Sequence, residues 1–108
     1  MEKDQYGPKP TPEECQQIAE FLQGFSNPVR IRIMCALRDG EKNVGEIAQL
    51  VGAKQSNISQ QLQILMAKGY VVRRREERNI LYCVSKTEIF RVMSRILELV
   101  CRGETMQN

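Results

Sequence analysis

The 108-residue sequence predicts a mainly α-helical fold with one small β-hairpin, in the order α-α-α-α-β-β-α. Apolar residues recur at spacings of three and four in five stretches, most of which follow a helix-capping residue. After Gly69 the pattern changes to two short apolar runs around a charged stretch, which is typical of a hairpin. We therefore expect one domain over 11–102, between a flexible N-terminal arm (1–10) and a flexible tail (103–108).

The first two helices each begin at a cap residue followed by proline, at Thr11-Pro12 and Asn27-Pro28. The first helix is predicted to end at Gly24 or Phe25, and the second to continue to Asp39-Gly40. The second helix carries a cysteine at its centre, Cys35. Its arginines are expected on a solvated or phosphate-facing side; they are Arg30, Arg32 and Arg38.

The third and fourth helices are short and closely connected. Asn43 and Glu46 form a predicted capping box, and Gly52 ends the third helix. The segment Gly52-Ala53-Lys54 then leads into a helix from Gln55 to Lys68. Two short helices joined by a glycine-containing turn indicate a helix-turn-helix, in which the second helix enters a DNA groove.

The fourth helix has one apolar face, formed by Ile58, Leu62 and Leu65. The rest of its first half carries amides and hydroxyls without charge, whereas a merely solvated helix usually carries Lys and Glu pairs. Amide and hydroxyl side chains are suited to hydrogen bonding with base edges in the major groove. The predicted DNA-binding residues of this region are Lys54, Gln55, Ser56, Asn57, Ser59 and Gln60.

The hairpin is predicted to have strands at 70–72 and 80–84 and a charged tip over 73–79. Residues 54–86 carry seven Lys/Arg against two Asp/Glu, a net +5, whereas the remainder carries nine against eleven, a net −2. This uneven charge is expected of a nucleic-acid surface, although a basic tip can also serve solubility alone. The hairpin residues predicted to contact phosphates or a minor groove are Arg73, Arg74, Arg75 and Arg78. Together these features predict a winged helix-turn-helix that binds double-stranded DNA.

The last helix, which begins near Ser85, has an apolar stripe from Ile89 to Cys101. This stripe spans nearly four turns, too long for a small domain to cover from one side. It predicts a homodimer whose interface pairs the last helix with the first; a role in the core alone is the alternative.

Several functions are excluded or disfavoured by composition. The chain has no histidine, which removes His-assisted catalysis and zinc sites that depend on imidazole. Its four cysteines include no CxxC pair, and no activating base for a thiol enzyme is visible. No signal peptide or membrane-length apolar run is visible. We expect a cytoplasmic protein with reduced thiols, no enzymatic activity, no cofactor and no membrane contact.

The segment FSNPVRIRIMCALRDGEKNVGEIAQLVGAKQSNISQQLQILMAKGYVVRRREERNILYCV resembles the ArsR/SmtB family of bacterial winged-helix repressors. The matching pieces are the SNPVRIRIM helix, the VGEIAQLVG…SNISQQLQIL helix-turn-helix and the charged wing that ends in ILYCV. The match extends from about Phe21 to Cys101. The resemblance implies a homodimer that binds an operator and leaves it when an inducer binds.

The metal-sensing sites of that family are missing. Its cysteine motif should lie near 41–50, where this chain has no cysteine, and its zinc site in the last helix needs histidines. One cysteine in the second helix, Cys35, and one in the last, Cys101, are similar to the pattern of the persulfide-responsive BigR/SqrR branch. The resemblance implies that these two thiols react with persulfides or polysulfides and become joined through additional sulfur atoms.

Alternatives remain open for the cysteines. Cys15, on the first helix, and Cys101 would make an arsenite or soft-metal site if the dimer brings them together. A general redox response is a related alternative. Each cysteine can also be a small buried apolar residue, and Cys83 is expected to be structural. A winged helix used only for protein contacts would lack the polar helix face and the arginine-rich wing.

Overall fold

The computed structural model describes residues 7–101, and it confirms the predicted order of five helices and one hairpin. Residues 1–6 of the predicted arm, residue 102 and the predicted tail over 103–108 lie outside the described residues. The elements are α1 (Pro12–Gln23), α2 (Pro28–Ala36), α3 (Val44–Val51), α4 (Gln55–Ala67), β1 (Val71–Glu76), β2 (Asn79–Val84) and α5 (Thr87–Cys101).

The predicted caps form at the first three helices. Thr11 caps α1 and Asn43 caps α3, each within a complete capping box, and the Asn27 side chain accepts two backbone N–H bonds at the start of α2. The predicted end of α2 was wrong by about one turn, because the helix stops at Ala36. Leu37 is buried in the turn that follows, so the apolar pattern continues beyond the last helical residue.

Helices α2, α3 and α4 enclose the centre of the core. Ile33, Ile47, Ile58, Leu62 and Leu65 are completely buried, which confirms the apolar faces expected from their spacing. Gly52 ends α3 with a positive φ of 78°, in the left-handed region that side chains with a Cβ avoid. The chain can therefore turn directly into α4.

The hairpin is antiparallel, with Val71 opposite Val84 and Glu76 opposite Asn79. The prediction of a seven-residue charged tip was wrong, because β1 continues to Glu76 and only Glu77-Arg78 form the turn. The physical reason is exposure: from Val72 to Glu76 both faces of β1 are open to solvent, so no alternation of burial marks the strand in the sequence. The backbones of Lys42 and Tyr82 also pair, and this bridge attaches the segment before α3 to the outer side of β2.

Helices α1 and α5 flank this core and are incompletely covered. Helix α1 has no buried residue, and its Leu22 is half exposed. It is anchored where Phe21 and Phe25 contact the Tyr70 ring. That ring lies against Gly24, where a Cβ would come within 1.9 Å of it.

Helix α5 buries Ile89 and Met93 in its first half, whereas Leu99 and Val100 near its end are 60% and 70% exposed. The second half of the predicted apolar stripe is thus open in one protomer. Between residues 7 and 101, no helix combines the length and apolarity required to cross a membrane.

Candidate nucleic-acid surface and thiol cleft

The polar side of α4 is open to solvent, while its apolar side is buried. Gln55, Ser56, Ser59 and Gln60 are exposed, and so is Lys54 directly before the helix. Asn57 is half-buried. Five of the six residues predicted to bind DNA here therefore form an exposed surface on a helix that the core holds rigidly.

The start of α4 differs from the starts of α1, α2 and α3. Those three helices have side-chain caps, whereas Lys54 makes no capping hydrogen bond and the first turn of α4 has no acidic residue. The first N–H groups of α4 consequently lack side-chain partners among residues 7–101. These donors and the positive end of the helix dipole favour an anion such as a phosphate.

Arg30 has a role that the sequence did not indicate. Its guanidinium donates to the carbonyls of Gln23 and Gly24 at the end of α1, and to Oε1 of Gln61 on α4 at 2.9 Å. Nε2 of Gln61 then donates to Oδ1 of Asn57 at 3.4 Å. Because arginine only donates hydrogen bonds, it fixes the orientation of both amides in turn. Arg30 therefore joins α1 to the candidate DNA-binding helix. Arg30 and Gln61 are 31 positions apart in the sequence, so no local pattern predicts this contact.

The four wing arginines are not equivalent. Successive side chains alternate between the faces of a strand, so Arg73 and Arg75 share one face and Arg74 lies on the other. Arg74 forms a two-pronged ion pair with Glu41, at 2.6 Å and 2.7 Å. The hydrogen bonds of this pair lower the pKa of Glu41 and raise that of Arg74. Within residues 7–101, Arg73, Arg75 and Arg78 form no ion pair.

Cys35 lies in an open cavity of about 720 Å³ between α2, α3 and α5, which we call the thiol cleft. The cleft combines arginines, a thiol and apolar side chains. Its lining residues are Arg32, Cys35, Ala36, Arg38, Asp39, Leu50, Val51, Phe90 and Ser94.

The electrostatic environment of Cys35 connects it to Cys101. Burial raises the pKa of the Cys35 thiol, Arg38 lowers it, and the Cys101 thiol raises it further. Phe90, Ser94 and Cys101 follow one another at helical spacing on the same side of α5. At 1.5 Å per residue, Cys101 lies about 10 Å along the helix from Ser94. Both predicted sensing thiols are free, and Cys101 lies on the side of α5 that also carries the cleft residues Phe90 and Ser94.

The other two cysteines lie elsewhere. Cys15 is exposed on α1, and Cys83 is half-buried in β2 opposite Val72. Among residues 7–101, no group of three or more cysteine and acidic side chains has an arrangement that would hold a metal ion.

Comparison with known proteins decides the family. A family model described as "Bacterial regulatory protein, arsR family" matches residues 27–72, which include α2, α3 and α4. The chain is also 33% identical over 88 residues to the biofilm growth-associated repressor of Xylella fastidiosa, covering 82% of this chain and 77% of that protein. The chain belongs to the arsR family of bacterial regulatory proteins. The predicted resemblance is confirmed.

The similarity to solved structures of transcriptional repressors extends beyond the helix-turn-helix. The crystal structure of the transcriptional repressor BigR from Xylella fastidiosa has a TM-score of 0.76 and 31% identity, covering 82% of this chain and 91% of that one. The antimony-specific transcriptional repressor AntR has a TM-score of 0.79 and 28% identity, covering 88% and 86%. The flanking helices and the hairpin are therefore part of the shared fold.

Proposed function

We propose that this arsR-family protein is a homodimeric transcriptional repressor that leaves its operator when reactive sulfur species modify Cys35 and Cys101. The observation that carries the DNA-binding part is α4. Its apolar face is completely buried, while its uncharged polar face and uncapped start are exposed. A rigid helix with this division of faces fits a major groove.

The proposed DNA contacts divide into two classes. On the base edges we place Gln55, Ser56, Asn57, Ser59 and Gln60. On the phosphates or in a minor groove we place Lys54, Arg73, Arg74, Arg75 and Arg78. Arg74 differs from the others, because it would have to break its ion pair with Glu41 before it could contact DNA.

The proposed dimer covers the apolar surfaces that one protomer leaves open. Leu22 on α1 and the Leu99-Val100 pair on α5 are all at least half exposed. A two-fold axis would place the two α4 helices in successive major grooves, about 34 Å apart. A small change in the dimer geometry would then be sufficient to weaken operator binding.

The proposed chemistry of release uses two equivalents of a persulfide, RSSH. The thiolate of each cysteine attacks the outer sulfur of one RSSH, the S–S bond breaks, and RSH leaves after taking a proton. The persulfide of Cys35 then attacks Sγ of the Cys101 persulfide and expels hydrosulfide. The products are one trisulfide bridge, two RSH and one H₂S.

Two observations support this pairing. The Cys101 thiol acts on the pKa of Cys35, and the chain is similar to the persulfide-responsive branch in having one cysteine on each of α2 and α5. A direct disulfide requires Cα atoms within about 7 Å, and an additional sulfur atom tolerates a wider gap. Selectivity for persulfide over peroxide would follow from that wider gap.

Operator binding, measured by fluorescence anisotropy with and without polysulfide, tests the proposal. We expect Cys35→Ser and Cys101→Ser to bind the operator normally and to lose release by polysulfide, while Cys83→Ser keeps both properties. Intact-mass spectrometry should find the added sulfur only when both Cys35 and Cys101 are present. Normal release from either serine variant would contradict the role of that thiol, and equal disulfide yields from peroxide and polysulfide would contradict the selectivity.

A soft-metal sensor is the second candidate, favoured by the exposure of both Cys15 and Cys101 and by the similarity to AntR. Thiolates are the ligands that arsenite and antimonite prefer. If this candidate is correct, arsenite should release the protein from its operator. Cys15→Ser should abolish this release, and Cys35→Ser should leave it intact. The opposite dependence on the two cysteines would exclude it.

A further inference from the structure

We propose that the thiol cleft binds a small organic anion, with Arg32 and Arg38 holding its carboxylate beside the Cys35 thiol. This inference rests on the proposed function and makes it more specific. The sulfur donor would be a carboxylate-bearing organic persulfide, as opposed to a neutral or purely inorganic one.

The cleft has the size and the mixed chemistry of a small-molecule site. Its volume of about 720 Å³ lies within the usual range of ligand pockets, about 300 to 1,000 Å³. Val51 and Phe90 give it an apolar wall, and Leu50, also in the lining, is 60% exposed. A ligand with an apolar stem and a charged end would contact both parts of this surface.

The two arginines are the groups that specify the charge of the ligand. Neither Arg32 nor Arg38 makes an ion pair or a side-chain hydrogen bond with residues 7–101, whereas Arg30 and Arg74 both donate several hydrogen bonds. The carboxylate in the lining belongs to Asp39, which is paired with Lys42. Arg32 and Arg38 therefore bring two guanidinium groups to a cavity whose one lining carboxylate is already paired, and a guanidinium group is well suited to binding a carboxylate.

The position of the thiol connects binding to reaction. A donor held by its carboxylate would present its outer sulfur to Cys35 within the same cavity. The Cys35 thiolate forms a bond to that sulfur, the S–S bond of the donor breaks, and the departing thiolate takes a proton to leave as RSH. Burial disfavours the Cys35 thiolate and Arg38 favours it, so the same arginine would assist both binding and attack.

The site can be tested without DNA and without sulfur donors, by comparing alkylation of Cys35 by iodoacetate and iodoacetamide. Both reagents react with the thiolate, so a change in the thiolate fraction alters both rates equally. The rate with iodoacetate divided by the rate with iodoacetamide therefore reports how strongly the cleft attracts the carboxylate of iodoacetate. We expect the ratio at Cys35, measured by peptide mass spectrometry, to be about fivefold higher in the folded protein than in urea. Arg38→Gln and the double variant with Arg32→Gln should remove this preference, and Arg38→Lys should restore part of it.

Arg95→Gln is the matched control, because Arg95 is an exposed arginine of α5 outside the cleft. It should leave the ratio unchanged. Equal ratios in the folded and unfolded wild-type protein would overturn the anion site. A preference that survives in the double variant would also overturn it.

A second measurement separates this inference from the proposed sensing. The rate of DNA release is compared for the persulfide of 3-mercaptopropionate and for that of its methyl ester. Faster release by the acid, lost in Arg38→Gln, supports the site. If neither donor releases DNA but the alkylation preference holds, the sensing proposal fails and the anion site stands. If both release DNA equally and alkylation shows no preference, the anion site fails and sensing stands.

Discussion

The helix-turn-helix and the two flanking helices differ in how completely a single protomer buries their apolar faces. The apolar faces of α3 and α4 are buried by α2 and by each other, with Ile47, Ile58 and Leu62 completely inaccessible to solvent. Helix α1 buries no residue, and α5 leaves Leu99 and Val100 exposed. The candidate DNA-binding surface is thus complete in a single chain, and the flanks are not.

This difference indicates where regulation can act. The residues proposed to contact DNA are on the complete region, whereas Cys15 and Cys101 are on the flanks and Cys35 lies in the cleft that α5 closes on one side. A modification of these thiols would leave the interior of the helix-turn-helix intact. It would instead change how two rigid DNA-binding units are held relative to each other.

The largest expected effect contrasts a core leucine with a flank leucine. Leu62→Ala removes completely buried methyl groups and should lower the free energy of unfolding by about 2 to 5 kcal/mol. Leu99→Ala, at a 60% exposed position, should lower it by less than about 1 kcal/mol at protein concentrations where the chain is monomeric. Urea unfolding measures both. Similar losses in the two variants would refute the distinction between the regions.

Gly24→Ala tests the junction between the regions. An added Cβ would come within 1.9 Å of the Tyr70 ring, so the end of α1 has to move away from the core. We expect a loss of about 1 to 3 kcal/mol in unfolding free energy, typical of overpacking. Gly40→Ala is an informative comparison, because a Cβ there meets no atom within 4 Å and the cost comes only from its positive φ of 139°. A thermal unfolding midpoint of Gly24→Ala equal to that of the wild type would contradict the close packing.

Val100→Glu tests the incomplete flank directly. Val100 is 70% exposed in the protomer, so the fold should persist, and circular dichroism should be unchanged. In the proposed dimer the carboxylate would be buried without a partner, and we expect the dimer dissociation constant to rise about tenfold or more. Analytical ultracentrifugation measures this shift. A dimer of unchanged affinity would show that α5 is not at the interface.

The smallest effect is expected at the Glu41–Arg74 pair. Its hydrogen bonds hold the pKa of Glu41 below the usual range, so the pair stabilises the fold above that range and loses its effect as the pH falls through the lowered pKa. The thermal midpoints of the wild type and Glu41→Gln should therefore differ slightly at neutral pH and converge in acid. Because Glu41→Gln also releases Arg74, operator affinity should rise by about twofold. A difference in midpoint that persists at low pH would argue against this role.

The sequence predicted the elements well wherever the signal was local. The cap residue before proline at Thr11 and the capping box at Asn43 gave correct helix starts, and the spacing of Ile58, Leu62 and Leu65 gave a correct buried face. It failed for the second part of β1, residues 73–76, because a strand exposed on both faces has no alternating pattern.

Features that join distant parts of the chain were not predictable in the same way. The hydrogen bonds from Arg30 to Gln61 and from Arg74 to Glu41 link residues more than 30 positions apart, and any exposed arginine has the same sequence signal as these two. The thiol cleft likewise exists only because α2, α3 and α5 converge. The proposed pairing of Cys35 with Cys101 came from the family resemblance, and it remains a prediction.

The segment from Arg38 to Lys42 contacts both the thiol cleft and the wing. Arg38 and Asp39 line the cleft, the Asp39 side chain is bound to Lys42, Glu41 holds Arg74 of the wing, and the Lys42 backbone pairs with β2. A molecule that displaces Arg38 would therefore disturb the middle of the wing across only a few peptide units. A ligand in the cleft would then alter the DNA contacts of the wing in the same chain. This effect would need neither a bridge between the thiols nor a change in the second subunit.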